Sequence, residues 1–227
     1  MAHLDQELSA LTNTLLTMAS HAESSVRQVV HALETRDYDL ALRVRAEDAV
    51  IDRFEVDVDE MSLRLLAKAP LARDLRLIAV SMKISHNLER VGDEAAKLAN
   101  RVRDLSQEPP LHLKVDIPQL ADLALLLLKH ALDAFVVKDN LAARALIPQD
   151  KQVDALNREI HRQLANQMIQ NPESITRCLN LMVVAKRLER IADHAKNIAQ
   201  EVVFLCEAED IRHAGIAQVG LATETVQ

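Results

Sequence analysis

The chain has 227 residues, a formal net charge of −7 and a sequence pI of about 5.7. That length suits one or two modest domains, and the acidity tells against nucleic-acid backbone binding as the main task, since such readers carry a basic face. With no Trp, one Tyr, three Phe and three Gly, the core must be aliphatic and the elements are expected to be helices.

The N-terminal stretch MAHLDQELSA has no basic run followed by an apolar one, so no signal peptide is expected. Leu4, Leu8, Leu11, Leu15, Met18, Ala22 and Val29 follow the 4–3 spacing of a first amphipathic helix, ended by the polar break Thr35-Arg36-Asp37. Val44, Ile51, Val58 and Leu65 recur at heptad steps in a second helix, with Phe54 and Met61 between, and Pro70 closes it. The third carries Leu77, Ile84, Val91, Leu98 and Leu105, with Leu88, Ala95 and Val102 offset from them. Glu108-Pro109-Pro110 interrupts the pattern. A fourth helix runs over Leu120 to Val137, a fifth carries Val153, Leu156, Ile160 and Leu164 up to Asn171-Pro172, and a sixth holds Leu181, Val184, Leu188, Ile191, Ala195, Ile198, Val202 and Leu205.

The longest apolar run, Leu123 to Leu128, is too short to cross a bilayer. Its leucines surround more than one face, so helix four is expected either to meet a partner or to lie buried between the two halves. Cys178 and Cys206 are too few for a disulfide framework and read as reduced thiols of a cytoplasmic protein.

The two halves match. Asp48–Asp52 repeats as Asp150–Asp154 and Pro70 as Pro172, both at a step of 102, while LERVGDEAAKLA (88–99) returns as LERIADHAKNIA (188–199) at a step of 100. The chain is therefore expected to be all-α: two tandem three-helix bundles, six long antiparallel helices in all, residues 1–107 and 108–215, followed by a flexible tail over 216–227.

Each half repeats two acid pairs at i,i+4 spacing: Asp48–Asp52 and Glu89–Asp93, then Asp150–Asp154 and Glu189–Asp193. Like charges so placed repel and weaken an isolated helix. With Leu88 and Ala95 at position a and Ile84, Val91 and Leu98 at d, Glu89 falls at b and Asp93 at f, pointing away from the core stripe. Converging oxygens would suit a hard cation, Mg²⁺, Mn²⁺, Ca²⁺ or ferric iron, better than copper or structural zinc. The other reading is solvated helix surface, with Arg90, Arg190 and Lys97 pairing with the acids. His86 and His194 are unrelated by the repeat and read as flank histidines, and Glu55–Asp59 has no counterpart in the second half. No Glu-x-x-His, Walker or GxGxxG motif occurs.

The acid motifs together with ERVGDEA, ERIADHA, LARDLRLIAVSMKI (71–84) and EDIRHAG (209–215) resemble the PhoU family over residues 1 to about 215. The resemblance implies a non-enzymatic, homodimeric cytoplasmic adaptor that reaches the membrane only through its partners. Those partners are the ATPase subunit of the phosphate ABC transporter and a phosphate-sensing histidine kinase, and the adaptor represses the starvation response and restrains phosphate uptake. It also implies metal ions (Mg, Mn or Fe, with Zn and Ca as further candidates, their number open) held by Asp48, Asp52, Glu89, Asp93, Asp150, Asp154, Glu189 and Asp193. Ala192 stands where the first half has Gly92, a change a helix tolerates. Two other functions remain: an accessory of a low-affinity phosphate transporter, and a metal-dependent hydrolase of phosphate esters, which needs a shielded concave site.

Overall fold

The computed structural model describes residues 2–69, 71–111 and 113–212. All regular elements among them are helical: α1 (Ala2–Thr35), α2 (Tyr38–Leu66), α3 (Ala72–Ser106), α4 (Ile117–Val137), α5 (Asn140–Leu146), α6 (Asp150–Gln170) and α7 (Ile175–Glu207), with 3₁₀ turns at Ile147–Gln149 and Pro172–Ser174. Pro70, the end of the EDIRHAG stretch and the tail over 216–227 lie outside the described residues.

The repeat seen in the sequence is built into the chain junctions. Arg36 ends α1 in the left-handed region (φ 58°), and Asp37 then caps α2 by accepting from the Leu40 amide. Lys138 (φ 56°) and Asp139, which accepts from the Ala142 amide, do the same after α4. From there the halves diverge. α2 runs unbroken, but its counterpart is split into α5 and α6 at Ile147-Pro148-Gln149, because proline lacks the amide the helix ladder needs. The predicted fifth helix is therefore α6 preceded by a short extra helix, and Asp150 becomes the first residue of α6 rather than a mid-helix residue.

The heptad stripes are the core: Leu11, Leu15, Ile51, Val58, Ile84, Leu88, Val91, Leu120, Leu128, Ile160, Leu164, Leu188 and Ile198 are all fully buried. In α4, Leu125, Leu127 and Leu128 are buried, and Leu126 and the C-terminal Val136 and Val137 are largely exposed, so most of this helix is a core element rather than a free apolar face. No described helix is long and apolar enough to cross a membrane. Cys178 and Cys206 are unpaired thiols.

α3 and α7 are the central helices. Each packs against the other helices of its own half, and the two pack on each other. Four polar contacts give their direction: Lys83–Glu201, Asn87–His194, Glu94–Arg187 and Arg101–Asn180. Residue number rises on one side as it falls on the other, so α3 and α7 are antiparallel.

At Gly92, α3 lies close against α2. A Cβ there would sit 2.7 Å from Ile51 Cδ1 and 3.3 Å from Asp48 Oδ1. Gly92→Val is expected to force Ile51, which is fully buried, out of its rotamer and to lower unfolding free energy by about 1–3 kcal/mol. Urea denaturation measures this, and a midpoint equal to wild type would show that the contact is slack.

Candidate functional site

In the first half, α2 and α3 hold their acids in the groove between them, not on open surface as positions b and f suggested. α3 is surrounded by α1, α2 and α7, so the flank beside its core stripe faces α2. The side chains of Glu89 and Asp93 are only 17% and 29% exposed. Asp48 is half-buried against Gly92, while Asp52 is exposed. Burial, together with the charges of Asp52 and Asp93, raises the Asp48 pKa above the usual carboxylate range against a weaker pull from Lys97. Glu89 is raised likewise, first by burial and then by Asp93 and Glu55, with Arg90 and His86 opposing.

The cations nearby neutralise this groove only in part. Lys97 Nζ lies 2.9 Å from Asp93 and 3.5 Å from Glu94, and Arg90 lies 3.3 Å from Glu89 and 3.4 Å from Asp93. Arg90 is off the direction of a hydrogen bond to Glu89, whose Oε2 is buried without a hydrogen-bond partner.

Two residues join this groove that the sequence reading set aside. His86 Nδ1 is 3.2 Å from Glu55 Oε1. Glu55, His86 and Glu89 each bring one ligand atom within 4.8 Å of the others. The signal was present: Glu55 lies one heptad after Asp48 on α2, and His86 lies three residues before Glu89 on α3. A mixed carboxylate–imidazole set with an orphaned buried oxygen fits a divalent cation such as Mn²⁺ or Zn²⁺ as well as the harder ions.

The second half has the same frame with different chemistry. By the steps of 102 and 100, Glu55 becomes Asn157, His86 becomes Lys186 and Ala96 becomes Lys196. Lys186 pairs with Glu189. Lys196 bridges Asp150 and Asp193, at 2.5 and 2.9 Å. Burial works against its charge, but the hydrogen bonds to Asp150 and Asp193 outweigh that and raise its pKa. Asp150 is 93% buried and Asp154 half-buried. An ammonium already lies between the carboxylates of the two helices, although Asp150 Oδ1 and Glu189 Oε2 are buried without a hydrogen-bond partner just as Glu89 Oε2 is, so the second groove differs from the first by its resident lysine.

Between the halves, Glu94 and Glu201 are the buried anions of the α3–α7 interface. Glu94 receives Arg187 at 2.8 Å and Arg190 at 3.5 Å. Glu201 receives Lys83 at 3.0 Å and Arg212 at 2.9 Å.

A duplicated three-helix unit, joined through its two central helices and carrying an acidic groove in each half, defines a tandem helical-bundle protein. The family model for the PhoU domain matches twice, at residues 15–102 and 117–202, the same steps of 102 and 100 found in the acid motifs. The chain is 36% identical over 223 residues to the phosphate-specific transport system accessory protein PhoU homolog of Pseudomonas aeruginosa, covering 96% of this chain and 92% of the relative. It is 36% identical over 207 residues to that of Rhizobium meliloti, covering 90% and 87%. Among solved structures it is similar to the crystal structure of PhoU from Pseudomonas aeruginosa (TM-score 0.86, 36% identity, 90% of this chain and 99% of that one). It is also similar to the phosphate transport system regulatory protein PhoU from Streptococcus pneumoniae (TM-score 0.85, 26% identity, 92% and 99%). The chain belongs to the PhoU family.

Proposed function

We propose that this chain is a cytoplasmic, non-catalytic accessory protein of phosphate transport that, as a homodimer, couples the ATPase subunit of a phosphate ABC transporter to a phosphate-sensing histidine kinase and represses the starvation response when phosphate is plentiful. The observation that carries this reading is the match over both halves to relatives named for the phosphate-specific transport system, with nearly end-to-end coverage. The geometry is consistent with an adaptor: the two halves meet along α3 and α7, which join them by apolar packing and by polar pairs such as Lys83–Glu201 and Arg187–Glu94. A hard or borderline cation in the first-half groove, on Glu55, His86 and Glu89, would offset like charge there and fix α2 against α3.

A clean deletion in phosphate-replete cells tests the function. Starvation genes are expected to be expressed constitutively, and the tagged protein is expected to retain the transporter ATPase. Normal repression in the deletion strain would overturn the reading. Repression lost together with binding to a low-affinity transporter instead would move the protein to that system.

A further inference from the structure

A cleft of about 780 Å³ opens at one end of the molecule, where the start of α1 and the start of α3 meet the ends of α4 and α7. The first half supplies Asp5, Arg73, Asp74 and Arg76 to its wall, and the second supplies Lys138. None of the repeated acid pairs lines it, and the function proposed above makes no use of it.

Its charges are unevenly satisfied. Asp74 is 92% buried and is met by Arg73 at 3.3 Å. Arg76 has no hydrogen-bond or ion-pair partner among the described residues, and its Nε is buried. A guanidinium cannot shed its proton to escape this. Its rigid fork of donors matches a tetrahedral or planar oxyanion. A buried donor without an acceptor is costly, whereas the same donor facing an anion forms a charge-assisted bond. Lys138 lies in the same wall, held at its place by the left-handed turn that ends α4. With Asp74 engaged by Arg73, the unengaged charges are Arg76 and Lys138 against Asp5, a net positive wall in a chain of net charge −7.

We propose that this cleft binds a small tetrahedral oxyanion, with Arg76 as the bidentate donor and Lys138 as the second cation from the other half. Inorganic phosphate and the head group of a phosphomonoester share this chemistry, and the volume admits either. Because groups of both halves hold the anion, binding would clamp the two bundles at this end.

The test is titration of the full chain with inorganic phosphate and, separately, phenyl phosphate, read by calorimetry and by melting temperature at constant ionic strength. Saturable binding of phosphate identifies the free ion, and binding of phenyl phosphate alone identifies a phosphomonoester; both support the site. Arg76→Gln is expected to abolish binding. Arg76→Lys, which keeps the charge and loses the fork, is expected to weaken it about tenfold. No saturable binding to wild type, or binding unchanged in a folded Arg76→Lys or Lys138→Gln protein, overturns the proposal. These outcomes are separate from the gene-expression test, since an adaptor can repress without binding an anion here.

Discussion

Glu94→Ala is expected to lower the unfolding free energy by about 3 kcal/mol, the cost of breaking a buried ion pair by removing one partner. The Glu94 side chain is 5% exposed, and its two oxygens are shared among Arg187, Arg190 and Lys97. Arg190 and Lys97 are 51% and 41% exposed and can turn to water. Arg187, 26% exposed, cannot do so fully, and its uncompensated charge carries most of the loss. The double substitution Glu94→Met/Arg187→Met removes both charges and keeps the volume, so it is expected to return to within about 1 kcal/mol of wild type. Urea denaturation of wild type, Glu94→Met, Arg187→Met and the double variant completes the cycle, with Glu94→Ala measured beside them. A loss below about 1 kcal/mol for Glu94→Ala would mean that water already screens the pair. By contrast Arg27–Glu23, 55% and 32% exposed on α1, is expected to contribute no more than a few tenths of a kcal/mol.

Glu89→Gln is expected to act in opposite directions on the metal-free and metal-loaded protein. Asp48 and Glu89 have raised pKa values in the folded state. A carboxyl whose folded pKa exceeds its unfolded one favours folding while protonated. Its effect is lost as pH climbs from the ordinary carboxylate range through the raised value, leaving the metal-free protein less stable at neutral pH. Removing the Glu89 charge relieves this, so metal-free Glu89→Gln is expected to melt higher than metal-free wild type at pH 7. Added Mn²⁺ is expected to raise the wild-type melting temperature, an effect that fades as pH falls and protons compete for the same oxygens. In Glu89→Gln the Mn²⁺ shift should vanish, with affinity reduced about a hundredfold, since changes even outside the ligand shell cost 10–100-fold. Asp193→Asn should leave Mn²⁺ affinity unchanged, because Lys186 and Lys196 already neutralise the second groove. Equal losses from Glu89→Gln and Asp193→Asn would show that both halves bind, and an unshifted wild type would leave the acid pairs as helix surface or partner contacts.

The architecture was legible in the sequence because its signals are local and periodic. Heptads of Ile, Leu and Val give helices and their inner faces; the polar break Thr35-Arg36-Asp37 marks the end of the first; the steps of 102 and 100 give the duplication. One interruption was also written there: Pro148 splits a helix whose counterpart is continuous. What a helical wheel cannot report is what lies opposite a flank. Positions b and f face water on an isolated helix, but α3 is enclosed on three sides. Glu89 and Asp93 therefore became half-buried groups, Glu89 with Glu55 and His86 beside it.

The difference between the halves follows the same division. The residues that replace Glu55, His86 and Ala96 can be read by counting, yet only the packing of α6 on α7 brings Lys196 between Asp150 and Asp193. Glu94 and Glu201 look like ordinary surface acids in the sequence, and the antiparallel meeting of α3 and α7 makes them buried anions between the halves. The sequence by itself determined the helices, their inner faces and the repeat, because hydrophobic periodicity acts within a few turns of one chain. The tertiary structure alone decided which carboxylates lose water and which gain a lysine, because desolvation and ion pairing depend on what a neighbouring helix brings within about 4 Å.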